Sequence, residues 1–143
     1  TALRNLGVVL TNMGRRSDAV PLYERAAAAY ETAGLGGYAA SARVQHVLST
    51  TPALATTRDP AALARVRAEL ERDRATLVSV FGPDSLEVAD ADAVLANLLA
   101  VLGRCNDARP ALTRALATFA GAKAPAERRV LVEEVKTRCA TSP

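Results

Sequence analysis

The sequence predicts an all-α chain, a solenoid of antiparallel helix hairpins, and three observations carry that prediction. Half of the 143 residues are apolar, yet only five are aromatic and about a fifth are alanine. That balance suits closely approaching helices better than a sheet or a large ligand pocket. Leu3, Leu6, Leu10 and Met13 recur at three to four residues, the apolar stripe of one helix face. A shift of 89 residues lays Leu102 to Ala115 in register under Met13 to Ala26, and the match over Leu3 to Tyr30 holds ten identities in 28 positions without a gap.

The repeat reads as a helix pair. Gly14 and Gly103 supply the positive φ that ends a first helix. Ser17 or Asp18, and Asn106 or Asp107 in the later copy, are expected to cap the second helix. Pro21 and Pro110 fall about one turn in, where a missing N–H costs little. Ala19, Tyr23, Ala26 and Tyr30 then form a contact face of small and large residues, echoed by Ala108, Leu112, Ala115 and Phe119.

Between the copies the pattern loosens. Gly36 and Gly37 lead into a helical stripe from Tyr38 to Thr50, with Ala40, Val44, Val47 and Leu48 on one face. No glycine turn follows, and Thr50 to Arg58 reads as a loop before Asp59 as N-cap and Pro60 as first helical residue. The next helix reaches Phe81 with Leu63, Val66, Leu70 and Leu77 on one face, interrupted by Asp73. The segment is either a degenerate repeat or a helical insertion. After Gly121, Pro125 opens a last helix with Leu131, Val135 and Cys139 inward. Glu127, Arg128, Glu133, Glu134, Lys136 and Arg138 point outward, as a solenoid's polar cap requires. The chain is therefore expected to be one domain over 1–143: a repeat at about 1–34, an irregular pair at 37–81, a third repeat at 84–121 and a capping helix at 125–140. Thr1 lies so close to the Leu3 stripe that a piece of a longer chain is expected.

These residues resemble the tetratricopeptide repeat, particularly its kinesin-light-chain type. Leu3, Leu6, Gly7, Leu10, Gly14, Ala19, Tyr23 and Ala26 are similar to the family pattern, and Leu95, Ala96, Leu99, Gly103, Ala108, Leu112 and Ala115 meet it again. Asp92 stands where the later copy should have its first leucine. The connector Phe81 to Ala89 resembles the linker that opens a new repeat of that type. The resemblance implies a non-catalytic scaffold, adaptor or complex subunit that takes a protein or peptide partner in a concave groove. The alternative is a regulatory or anchoring segment of a larger enzyme or transcriptional regulator. Carried over by position, the groove candidates are Arg4, Val8, Thr11, Asn12, His46, Asp90, Asn97 and Val101. Val8 replaces the asparagine with which relatives clamp a partner's C-terminal carboxylate, so that subclass is not expected.

No other chemistry competes. Net charge is +3 from 18 basic and 15 acidic residues in alternation, which argues against nucleic-acid binding. His46 is the only histidine, no nucleophile sits in a catalytic motif, and no cofactor or metal is expected. Glu87, Asp90 and Asp92 read as a solvated helix face. The glycines of Ala33 to Gly37 follow helix, not strand, and do not read as a phosphate loop. No apolar run is long enough to span a membrane. Cys105 and Cys139 are 34 residues apart, a common helical-repeat period. Read as equivalent positions of neighbouring repeats, they would stand one helix diameter apart and stay free thiols.

Overall fold

A computed structural model describes residues 5, 7, 9, 10 and 13–141. The described residues hold six complete α-helices and no strand: α1 Arg16–Thr32, α2 Gly36–Thr57, α3 Pro60–Phe81, α4 Leu86–Val101, α5 Cys105–Gly121 and α6 Ala126–Ala140. Asn5, Gly7, Val9 and Leu10 are helical ahead of the turn at Gly14; Leu3 and Leu6 of the first stripe lie outside the described residues.

The helices form two layers. α2 packs on α4 and α4 on α6, while α1, α3 and α5 lie behind them. Among the described residues no outer helix touches another outer helix. The inner layer therefore sets the curvature, and the fold is an all-α helix-hairpin solenoid. One apolar core runs from α2 to α6, and a smaller one of Ala26, Ala27, Tyr30, Ala39 and Ala42 joins α1 to α2.

Each turn follows from local chemistry. Gly14 and Gly103 take φ of 76° and 77°, and the next N–H reaches back to Leu10 O and Leu99 O at 2.8 Å. This closure carries the chain straight into the next helix, so the cap expected at Ser17 or Asp18 does not form. The N-cap positions are Arg15 and Arg104, without side-chain caps. Instead Arg15 Nε donates to Asp18 and Arg104 Nε to Asp107, both at 2.8 Å, holding a carboxylate at the positive end of each helix. Pro21 and Pro110 sit inside α1 and α5, just beyond the first turn.

The close contact between a repeat's two helices requires a small residue. A Cβ on Gly7 would come within 2.8 Å of the Tyr23 ring. Ala96, 89 positions later, is fully buried.

The loop expected from Thr50 to Arg58 is helix. α2 runs to Thr57 with Pro52 inside it. Hydroxyls return to carbonyls about one turn earlier throughout this stretch: Ser49 to Gln45, Thr50 to His46, Thr51 to Val47 and Thr56 to Pro52. Such back-bonding satisfies the hydroxyls without favouring helix by itself; the burial of Val47, Leu48 and Thr51 against neighbouring helices accompanies the helix where sequence rules read a break. α2 ends at Arg58, whose φ of 52° does what glycine does elsewhere. Arg58 stands 44 residues after Gly14 and 45 before Gly103, so the middle pair turns in the register of its neighbours. Asp59 Oδ1 then accepts from the Ala61 N–H at 3.0 Å with Pro60 leading the helix, as expected. Gly82, at φ 95°, ends α3, and Ser85 caps α4 by accepting from Val88 N–H.

Cys105 and Cys139 are joined by a disulfide across a Cα separation of 5.5 Å. The free-thiol expectation treated 34 residues as one repeat, whereas the turns recur every 44 to 45. Cys105 opens α5 and Cys139 lies near the end of α6, so the two chain segments meet where antiparallel neighbours adjoin.

Candidate partner-binding groove

The inner helices leave a groove of about 930 Å³. Gln45, Leu48 and Pro52 of α2 form one wall, Ala93 and Val94 of α4 the floor, and Leu131 and Glu134 of α6 the far wall. Val130 stands on that lip, 54% exposed. The lining is apolar at its centre and charged at its margins, with Arg16 at one edge and Glu127 and Glu134 on α6.

One ion pair ties the far wall of the groove to the helix of its floor. Arg128 Nη2 donates to Asp90 Oδ2 at 2.9 Å. Burial works against the Arg128 charge, but the bond to Asp90 outweighs it and holds the guanidinium above its ordinary value. Arg128 is therefore half-buried in the groove, not on the outer face of the cap as expected. On α6, Val132 is more deeply buried than the expected Leu131, which is only partly covered.

The structure separates the sequence-predicted groove residues. Asp90 lines the groove. His46 points to the outer layer, with Nε2 3.1 Å from Glu24 Oε1 of α1. Asn97 is buried, and its Nδ2 meets no hydrogen-bond acceptor among the described residues. Val101 lines a second cleft at the end of α4. Arg4, Val8, Thr11 and Asn12 lie outside the described residues.

Two of the three acidic residues expected on a solvated face, Asp90 and Asp92, are tied down. Asp92, its side chain 3% exposed, accepts from Arg74 Nε at 2.8 Å and Arg114 Nη2 at 3.1 Å. It thus occupies an inward leucine position by bringing two arginines with it, which offsets the cost of burying a charge. Asp73 likewise accepts from Arg43 Nε at 2.9 Å, and Arg43 also bonds Glu31. Burial raises the Asp73 carboxyl above its usual range, with Arg43 pulling the other way. Burial opposes the Arg43 charge in turn, yet its two acidic partners hold its pKa up. The sequence shows the opposite charges but not the packing that makes them meet across three helices.

No helix among the described residues is long and apolar enough to cross a membrane. Residues 1–33 match the family model described as tetratricopeptide repeat. No curated protein and no solved structure matches the chain. The first hairpin thus carries tetratricopeptide-type sequence, and the chain continues it as a helix-hairpin solenoid of the kind that generally mediates contact between proteins.

Proposed function

We propose that the chain is a non-catalytic protein-interaction module, a scaffold, adaptor or structural subunit of a larger complex, that holds a peptide or helix of its partner in the concave groove. The observation that carries this reading is the groove itself: an apolar floor between three inner helices, open along its length, with charged margins that fix orientation. The tetratricopeptide match over 1–33 supports it, since such repeats and such folds generally bind proteins and do not catalyse reactions. The repeats read as the kinesin-light-chain kind, supported by the Gly82 turn and Ser85 cap that open α4 from the Phe81 to Ala89 connector. Asp90 has a structural duty in the groove, where it holds Arg128.

Affinity purification with mass spectrometry tests the reading, using the wild-type chain and Val130→Glu. Val130 is exposed at the lip, so the substitution leaves the fold intact while placing a charge on the apolar path. The wild-type chain is expected to retain a protein partner that the variant loses. Equal recovery by both, or no stable partner for either, contradicts the groove as the working face.

A further inference from the structure

A second cleft of about 440 Å³ lies at the edge of the solenoid, where α2 ends, α3 begins and α4 ends. Its origin follows from the turn register. Counting from Gly14, Arg58 and Gly103, Arg67 stands where the flanking hairpins bury Tyr23 and Leu112, and Leu63 where they bury Ala19 and Ala108. An arginine does not fill that core position, so Arg67 swings to the surface, 41% exposed in its side chain. The same exchange explains Thr51 in the middle hairpin, where the first has Gly7 against Tyr23: with no aromatic ring opposite, a larger residue fits. The unfilled space is the cleft.

Its chemistry is asymmetric. Leu63, Val101 and Leu102 contribute to an apolar floor, and the three charged residues that line it, Arg58, Arg67 and Arg104, are all basic. Arg104 also bonds Asp107 at 2.8 Å and Arg67 bonds Glu71 at a longer 3.4 Å. Arg58 pairs with no acid among the described residues and lines the cleft where its left-handed backbone ends α2. Guanidinium groups recognise carboxylate and phosphoryl oxygens by paired N–H donation. The volume falls within the about 300–1,000 Å³ of small-molecule sites, which combine apolar walls with a few polar groups.

We propose that this cleft binds a small amphiphilic anion, its apolar body on Leu63, Val101 and Leu102 and its carboxylate or phosphoryl head between Arg58, Arg67 and Arg104. The site is separate from the concave groove and does not depend on a partner there.

The test is titration of the full chain with hexyl phosphate, hexanoate, inorganic phosphate and hexanol, followed through backbone amide NMR shifts and calorimetry. Hexyl phosphate or hexanoate is expected to bind saturably, with shifts centred on residues 58–67 and 98–104, and the two probes distinguish a phosphoryl from a carboxylate head. Hexanol and inorganic phosphate, each lacking half of the ligand, are expected to bind at least about tenfold more weakly. Arg58→Gln and Arg67→Gln should each weaken binding about tenfold, the scale of one charged hydrogen bond. Arg67→Tyr should fill the cleft as Tyr23 fills its counterpart and abolish binding with the helical content unchanged. Arg15→Gln, at an exposed turn outside the cleft, should leave affinity unchanged. Binding of neither amphiphile, equal affinity for hexanol, or full affinity in Arg58→Gln and Arg67→Gln overturns the proposal.

Discussion

The hairpins α2–α3 and α4–α5 share a turn register but are filled by different chemistry. In α4–α5 the contact is made by Ala96, Leu99, Ala108, Leu112, Ala115 and Phe119, nearly all fully buried. In α2–α3 the positions matching Ala108, Leu112 and Phe119 are Leu63, Arg67 and Arg74, and the depth is supplied by Leu70, Leu77 and the Arg43–Asp73 pair. The first is an interlocked apolar seam. The second is held further along by ion pairs and leaves its turn end open as a cleft. A repeat architecture thus tolerates loss of its usual seam at one hairpin when its neighbours share the core, because α4 packs on both α2 and α3.

The comparison sharpens most at the aromatic end of the seam. Phe119→Ala should cost about 3–5 kcal/mol, the range for a buried aromatic, whereas Arg74→Ala at the matching position should cost far less, because Asp92 retains Arg114. Chemical denaturation of both variants checks this; equal losses would mean that the two hairpins are filled alike. Next is the bond that holds the last helix. Cys139→Ser, or reduction, should lower stability by about 2–4 kcal/mol and raise hydrogen exchange over 126–140, while alkylation of the native chain should find no free thiol. Rapid alkylation of both cysteines under oxidising conditions would refute the pairing.

Ala108→Leu and Ala19→Leu should each overpack a seam and cost about 1–3 kcal/mol, with both sites at 0% exposure. A melting temperature unmoved in both would break the helix pairing. The smallest effect lies in the middle pair and depends on pH. Because burial raises the Asp73 carboxyl in the folded chain above its ordinary 3.8, the native state binds that proton more tightly than the unfolded state. Stability contributed by this group therefore falls as pH rises from 3.8 to the raised native value. Asp73→Asn should gain stability relative to the wild type across that window and hold a constant difference above it. A pH-independent difference would remove the buried-carboxylate account.

Much of the fold is legible in the sequence where the physics is local. Glycine at a left-handed turn, alanine at a close contact and a 3.6-residue apolar stripe each declare their structure at Gly14, Ala19 and Tyr23. The middle pair hides because its signals are borrowed. Arg58 performs a glycine's turn, and Thr50 to Thr57 continue a helix, with Thr51 buried, that their composition marks as a loop. The disulfide escapes because a spacing matched to the wrong repeat length implies equivalent rather than adjoining positions. Of the groove, the sequence identifies the inner helices but not which side chains remain available: Asp90 is engaged by Arg128, and His46 faces α1. Such pairings depend on how helices slide against one another, a long-range result of packing.

The central claim is that the concave inner layer is the working face. Its most direct test places a photo-reactive amino acid at Val130 on the groove lip, and separately at Arg72 on the exposed outer helix α3, and compares the proteins crosslinked in cells. A discrete adduct with one partner from position 130 and none from position 72 is the predicted result. The same adduct from position 72 alone, or from both positions equally, would contradict it.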